Sequence, residues 1–280
     1  MSHVPLRFMH ALGAGLGWFV FWASPTYRHH LRKHVAQAGF PQACVGGAAR
    51  HAGRMVAELP WLWGRGPQVP LGGRIHWENT PLLDAALAQG RGVLLLSPHV
   101  GAFEVIAQSY AERFGSQRPM TALYRPARKA WLHELVAQSR NRPGLNTVPA
   151  QLSGVRQMIR ALRRGEAVGL LPDQVPPDGQ GVWVPFFGKP AYTMTLVGRL
   201  ARQAKAEVLL LWCERLPQGR GYVVRVQAPP HPWPDGDDAP QWAQAVNEAM
   251  EFVIHQCPDQ YLWGYNRYKH PKGAPEVKSA

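Results

Sequence analysis

The chain has 280 residues, of which 46% are hydrophobic and only 18% charged, so its composition argues against disorder, collagen and coiled coil. Lysine and arginine number 31 against 18 acidic residues, and the net charge of +13 favours anionic partners, namely nucleic acid, an anionic membrane surface or an acidic protein. Cys44, Cys213 and Cys257 show neither CxxC nor zinc spacing, which indicates a reducing compartment without a disulfide framework or structural metal.

The first predicted element is an apolar helix over residues 8–23, interrupted only by His10. At 1.5 Å per residue it would reach roughly 24 Å, short of the ~30 Å hydrocarbon core, so a strained span and an interfacial anchor both stay open. A plain core helix is the third alternative. Arginine, lysine and histidine provide six of the seven residues 28–34, whereas only Arg7 closely precedes the helix. The positive-inside rule therefore predicts a cytoplasmic domain after this segment.

We predict two parts, a membrane-anchoring helix with its basic exit at residues 1–34 and an α/β domain at residues 35–280. From about Arg74, short apolar runs alternate with amphipathic stretches, which is typical of a mixed sheet flanked by helices. The predicted strands cover residues 92–97, 120–124, 146–148, 167–171, 207–214 and 222–227. The predicted helices cover residues 80–90, 102–114, 129–140, 153–164, 190–204 and 242–256.

The segment LLLSPHVGAFE, residues 94–104, carries the first candidate for chemistry, because functional groups collect where buried strands end. His99 and Glu104 are five residues apart, so they cannot share a helix face and meet only if His99 lies in a turn. Pro98 and Gly101 favour that turn. Glu104 would then fix one imidazole tautomer and leave the other nitrogen free to deprotonate a substrate hydroxyl, which would be the nucleophile.

Other catalytic signatures are absent from the sequence. It contains no GxSxG, GxxxxGK[ST] or HExxH, which argues against a nucleophile-elbow hydrolase, a P-loop NTPase and a zincin. Four residues outside the His99 segment have two interpretations each. Phe186 and Phe187 either line an acyl channel or belong to the plain core. Arg125 either contacts a substrate or lies in a surface turn, and Asp173 either belongs to the site or caps a turn.

Several segments occur together in one order along the chain. They are ELPWLW at residues 58–63, HVGAFE at 99–104, YRP at 124–126, IRALRRGEAVGLLPDQ at 159–174, VPFFGKPA at 184–191 and PDQYLWGYNRYKHP at 258–271. With the hydrophobic N-terminal segment and its basic exit, this set resembles the bacterial lipid A biosynthesis acyltransferases. These are the late, lauroyl/myristoyl-type members of the lysophospholipid acyltransferase superfamily.

The resemblance implies transfer of a fatty acyl chain from acyl carrier protein to a hydroxyl of a lipid A precursor, at the cytoplasmic face of the inner membrane. It implies no cofactor, no metal and no nucleic-acid partner, because the thioester donor is already activated. By motif, His99 and Glu104 would be the His-x4-acid catalytic pair. Substrate-binding or neighbouring positions would be Arg125, Asp173, Gln174 and Arg267, with Lys269 in the same basic C-terminal block as Arg267.

The chain departs from the family pattern at two places. Ala102 and Phe103 stand where members often carry Asn-Trp, and residues 264–267 read GYNR where members often carry Leu-His-Arg-Arg. The second departure leaves the acceptor open, so an acyltransferase for a glycerolipid or an ornithine-type lipid is an alternative. An alternative of another class is a non-catalytic basic protein that binds membrane or RNA, although no RNP-like stretch is present.

Overall fold

The computed structural model describes residues 5–124, 142–271 and 273 of the chain. Three helices come first, α1 (Leu6–Ala23), α2 (Pro25–Gln37) and α3 (Ala43–Trp63). The boundary between α1 and α2 follows from local chemistry. The Ser24 hydroxyl accepts a hydrogen bond of 3.3 Å from the backbone N–H of Tyr27, and Pro25 occupies the first position of α2, where its missing N–H costs nothing.

Helix α1 packs closely on α3 through glycines. A Cβ at Gly17 would lie 2.1 Å from the carbonyl oxygen of Ala49, and one at Gly53 would lie 2.0 Å from that of Gly13, so larger residues would force the helices apart. None of the helices in the described part of the chain is long and apolar enough to cross a bilayer. The opposite side of α1 exposes Phe8, Leu12, Leu16, Phe19, Val20 and Trp22, which we call the apolar face of α1.

The rest of the described chain forms a seven-stranded sheet, a hairpin and five further helices. The strands of the sheet are β1 (Ile75–Glu78), β2 (Val93–Leu96), β3 (Met120–Tyr124), β4 (Leu145–Pro149), β5 (Ala167–Leu170), β8 (Glu207–Arg215) and β9 (Tyr222–Gln227). The hairpin strands are β6 (Gly181–Phe186) and β7 (Lys189–Met194). The helices are α4 (Thr80–Ala88), α5 (Phe103–Phe114), α6 (Leu152–Arg163), α7 (Leu196–Ala204) and α8 (Ala239–Gln256).

The sheet order is β1-β9-β8-β2-β5-β3-β4, and only the β8–β9 pair is antiparallel. The predicted α/β class with a mixed sheet flanked by helices is therefore confirmed. Strand β2 lies at the centre and is buried on both faces. Leu94 and Leu96 join the core beneath α6, α7 and α8, whereas Val93 and Leu95 join the core beneath α4 and α5. A central strand buried on both faces explains the uninterrupted apolar run in its sequence.

One predicted element is wrong and another lies outside the described residues. The helix predicted over residues 190–204 begins only at Leu196, because residues 189–194 form β7 and pair antiparallel with β6. The connecting residues Phe187 and Gly188 both have positive φ, +47° and +72°, as a two-residue hairpin turn requires. The helix predicted over residues 129–140 falls in the part of the chain that is not described.

Candidate active site

The turn between β2 and α5 holds His99, and neighbouring segments fix its backbone on both sides. The N–H of Gly101 donates to the carbonyl of Gln260 at 3.0 Å, and the N–H of Ala102 donates to that of Cys213 at 2.8 Å. The carbonyl of His99 accepts from the N–H of Leu262 at 3.1 Å. The C-terminal segment around residues 258–262 therefore helps to shape the turn, which the sequence did not reveal.

Gly101 is the residue that makes this turn possible. Its φ is +61°, and an added Cβ would lie only 1.9 Å from the carbonyl oxygen of Cys213. Both the left-handed backbone and the close approach of β8 require glycine at this position. The prediction that the chain bends here, with His99 in the turn, is confirmed.

The imidazole of His99 pairs with Asp173, which follows the next strand of the sheet. The His99 Nδ1 lies 2.6 Å from Asp173 Oδ1, and the His99 backbone N–H donates to Asp173 Oδ2 at 3.0 Å. Strands β2 and β5 are parallel neighbours, with Leu96 opposite Leu170, so the residues beyond their carboxyl ends meet. One carboxylate thus holds both the ring and the backbone of His99.

This pairing sets the protonation of the site. Asp173 is only 2% exposed, and burial alone would raise its pKa. Electrostatic attraction to the His99 imidazole, the two hydrogen bonds that Asp173 accepts from His99, and the nearby charge of Arg267 outweigh the effect of burial. The pKa of Asp173 is therefore lowered overall. With Nδ1 donating to the carboxylate, Nε2 is the acceptor nitrogen, and the Gln174 amide donates to it at 3.1 Å. The His99 side chain is 14% exposed.

The orienting position assigned to Glu104 from sequence is occupied by Asp173 in the structure. The ring nitrogens of His99 bond to Asp173 and Gln174 rather than to Glu104. Glu104 lies in the first turn of α5 and contributes to the wall of a cavity. Sequence spacing pointed to the nearest acid along the chain, whereas strand pairing supplies an acid 74 residues away. The catalytic role of Glu104 stays a prediction.

The cavity lies between α5 and the sheet and contains about 780 Å³ of space unoccupied by atoms, including its open mouth. Most of its wall is apolar, with side chains such as Leu95, Ile106 and Met120. Ser97 and Phe103 also line it, and the ring of Phe103 packs edge-on against that of His99 with centroids 4.9 Å apart. Phe103 therefore links the apolar cavity to the imidazole of His99, because its ring lines the cavity and contacts the imidazole.

The remaining predicted site residues differ in their placement. Arg267 is 2% exposed, and its guanidinium donates to the Tyr192 carbonyl at 2.7 Å and the Thr193 hydroxyl at 2.6 Å, so it braces β7 from inside. Burial lowers its pKa. Phe186 is buried in the core, with Phe187 packed against it, so the structure supports the core interpretation of this pair. Arg125 lies outside the described residues.

A buried ionic cluster around Glu58 and Arg215 contacts the turn at Gly101, and the sequence did not predict it. The Arg215 guanidinium donates to both carboxylate oxygens of Glu58, at 2.6 and 2.7 Å, and to the Gly101 carbonyl at 3.1 Å. His10 of α1 lies 2.5 Å from Glu58, and the Tyr222 hydroxyl donates to it at 3.0 Å. Burial would raise the pKa of Glu58, but Arg215 and then His10 lower it to about 2.

The one signal for this cluster in the sequence was Glu58 itself, an acid at the start of the apolar segment ELPWLW. Arg215 gave no signal, because it is the last residue of β8 and directly follows another charged residue, Glu214. No group of three or more His, Cys, Asp or Glu side chains within the described ranges is arranged to hold a metal ion.

Known proteins of one family are similar to this chain in sequence. Residues 2–270 match the sequence model of the family described as bacterial lipid A biosynthesis acyltransferase. The chain is 33% identical over 190 residues to the lipid A biosynthesis lauroyltransferase of Escherichia coli (strain K12), which covers 67% of this chain and 60% of that protein. It is 29% identical over 212 residues to the palmitoleoyltransferase of the same strain, covering 75% of this chain and 66% of the relative.

The myristoyltransferase of that strain is 25% identical over 215 residues, which is 77% of this chain and 64% of the relative. The matched region thus spans less than two thirds of the length of each of these relatives.

Proposed function

Because the chain belongs to the bacterial lipid A biosynthesis acyltransferase family, we propose that it transfers a fatty acyl chain from an acyl-carrier-protein thioester to a hydroxyl of a lipid A precursor. The observation that carries the proposal is the His99–Asp173 pair beside an apolar cavity. Acyl transfer to a hydroxyl needs a base near an apolar space, since the chain must be taken out of water while its carbonyl meets the nucleophile.

In the proposed mechanism His99 Nε2 removes the proton of the acceptor hydroxyl. The Gln174 amide, which now donates to Nε2, yields this position to the hydroxyl. The hydroxyl oxygen attacks the thioester carbonyl, the carbon–sulfur bond breaks, and the carrier thiolate leaves with the proton held by His99. Asp173 keeps the ring oriented and stabilises its protonated form between the two proton transfers.

Glu104 keeps its predicted catalytic role in the proposal, and Arg125, Gln174 and Arg267 keep roles toward the substrates. Glu104, in the cavity wall beside Phe103, would be the second carboxylate near the reacting carbonyl. Arg125 and Gln174 would contact the anionic or polar parts of the substrates. Arg267 would act indirectly, because its guanidinium is committed to oxygens of β7. Carrier proteins and lipid phosphates are acidic, and the net charge of +13 would attract both.

We also propose that the protein acts at the cytoplasmic surface of the inner membrane, with the apolar face of α1 against the lipid. The adjacent helix α2 exposes Arg32 and Lys33, which border a groove together with Arg28 and His29. An apolar helix face beside a basic one is typical of interfacial attachment to anionic lipid, where each basic side chain contributes on the order of 1 kcal/mol.

Purified full-length protein, lauroyl carrier protein and a lipid A precursor test the proposed reaction. We expect an acylated precursor detected by mass spectrometry, and no product from a His99→Ala variant of unchanged circular dichroism. In cells lacking the gene, we expect lipid A to lose one acyl chain. An intact lipid A pattern with altered glycerolipid or ornithine lipid would instead favour those acceptors. Membrane binding without any acyl transfer would favour the non-catalytic alternative.

Membrane attachment is tested separately by sedimentation with vesicles of anionic or zwitterionic lipid. We expect binding to anionic vesicles that weakens with salt, and a large loss of binding when Leu12 and Leu16 are both changed to Glu. A matched control changes two exposed leucines outside α1, Leu82 and Leu152, to Glu, which adds the same charge away from the apolar face of α1. Equal binding by the Leu12/Leu16 variant would contradict this orientation of α1.

A further inference from the structure

Two polar atoms in the wall of the cavity have no hydrogen-bond partner. Gln108 is 3% exposed, and its Oε1 is buried and unpaired within the part of the chain that the structure describes. The same holds for the indole Nε1 of Trp63. Both residues line the apolar cavity beside the site. Buried polar groups are nearly always paired, so two unpaired ones in one cavity require an explanation.

The orientation of the Gln108 amide is set by its neighbours. Its Nε2 donates to the carbonyl oxygen of Leu62, at a long distance of 3.5 Å. Exchanging the amide atoms would place Oε1 against that carbonyl, oxygen against oxygen, so Oε1 is the atom that stays available. Trp63 directly follows Leu62 at the end of α3 and lines the same cavity as Gln108. The cavity wall therefore presents one unpaired acceptor and one unpaired donor among the described residues.

The position of Gln108 connects this region to the reacting end of the cavity. Gln108 follows Glu104 by four residues on α5, so their side chains lie on the same helix face, one turn apart. Glu104 lies close to the turn that holds His99, and Gln108 is correspondingly farther along α5. If an acyl chain binds with its carbonyl group near His99, the carbon atoms farther along the chain lie next to Glu104 and Gln108.

A hydroxyl group matches both unpaired atoms, since it donates to an amide oxygen and accepts from an indole N–H. A saturated chain would cover both atoms and leave them without partners, which costs free energy in an apolar space. We propose that the preferred acyl donor carries a hydroxyl on its chain, and that Gln108 and Trp63 are the residues that select it. This inference rests on the proposed acyltransferase function.

The test compares matched carrier-protein donors that differ only in the hydroxyl: dodecanoyl against 2-hydroxy- and 3-hydroxydodecanoyl, with the tetradecanoyl set as a second length. We expect the wild-type protein to transfer one of the hydroxylated chains at least tenfold faster, in kcat/KM, than its saturated partner. A site built to bind a hydroxyl discriminates strongly against the analogue that lacks it. Gln108→Leu, of similar volume, should lose this preference and transfer the saturated chain at least as fast as wild type.

Trp63→Phe provides a second variant, in which the N–H is removed while an aromatic ring remains, and we expect a partial loss of the preference. A wild-type protein that transfers saturated chains equally fast or faster overturns the inference and leaves the acyltransferase proposal intact. A preference that survives in Gln108→Leu overturns the assignment to Gln108. Failure to transfer any chain, hydroxylated or saturated, would count against the proposed function itself.

Discussion

Two pairs of acidic and basic side chains contact the turn after β2. The distances between their paired atoms are equal, yet the two pairs have different roles. His99 and Asp173 are 2.6 Å apart, and so are Arg215 and Glu58. The imidazole is 14% exposed and packs against Phe103 of the cavity wall, whereas the guanidinium is 1% exposed and enclosed in the interior. The contact distance alone therefore does not distinguish a catalytic pair from a structural one. The accessibility of a basic nitrogen distinguishes them, because an arginine side chain cannot give up its proton and Arg215 is closed to substrate.

The two pairs are also connected. Arg215 donates to the carbonyl of Gly101, two residues beyond His99, and its own backbone is tied to the side chain of Gln260. Since the backbone of Gln260 accepts from the N–H of Gly101, the Glu58–Arg215 pair and the C-terminal segment hold the same turn. The buried Glu58–Arg215 pair, which we call the sealed pair, therefore helps to position the His99–Asp173 pair. We expect substitutions in the two pairs to have different effects on activity and stability.

The largest effect is expected for His99→Ala. Loss of a general base lowers the acyl-transfer rate by about 10²–10⁴-fold. Stability also falls, because Asp173, which is 2% exposed, loses its imidazole partner and keeps the hydrogen bond from the backbone N–H of residue 99. Turnover with a saturating donor and thermal unfolding monitored by circular dichroism measure the two quantities. A rate within a few-fold of wild type would remove His99 from the mechanism.

Changes in the sealed pair should instead act on stability. Glu58→Gln or Arg215→Met leaves one buried group unpaired, and we expect the free energy of unfolding to fall by about 3–5 kcal/mol. The double variant Glu58→Leu/Arg215→Met should lose less than the sum of the single changes, since no charge stays buried alone. Chemical denaturation measures these values. Additive losses would show that the pair is not energetically coupled.

Asp173→Asn distinguishes the acid found in the structure from the acid predicted by spacing. An amide can hold the ring in the wrong tautomer and cannot stabilise the imidazolium, so we expect turnover to fall by roughly 10²-fold. Glu104→Gln is the matched comparison at the same site. If Asp173→Asn has near-normal turnover and Glu104→Gln has none, the catalytic pair is His99 and Glu104, as the sequence predicted.

The smallest effect concerns acid stability. Arg215 and His10 lower the pKa of Glu58 to about 2, against an ordinary value near 4.5. A carboxyl with a lowered pKa in the folded state contributes stability that is present above the ordinary value and lost as pH falls toward 2. We expect unfolding free energies between pH 5 and roughly 2.5 to decline less steeply in Glu58→Gln than in wild type. Parallel pH profiles would contradict this role of Glu58.

Much of the local structure followed from the sequence. Strand β2 was recognised from its apolar run, and the turn at His99 from Pro98 and Gly101. The sequence did not predict the hairpin of β6 and β7, because a proline such as Pro190 is also typical of a helix start, whereas Phe187-Gly188 forms the hairpin turn. Propensity at residues 189–194 was overridden by pairing with a strand that had not been predicted.

The sequence by itself determined the fold class, the family, and the placement of a histidine where a buried strand ends. Those properties depend on local hydrophobic periodicity, on glycine and proline, and on ordered motifs, all of which can be read along the chain. Only the tertiary structure decided which carboxylate meets the imidazole and which arginine supports the turn. Asp173 and Arg215 reach the site through strands paired with β2 and lie 74 and 114 residues from the groups they contact, separations that no local pattern encodes.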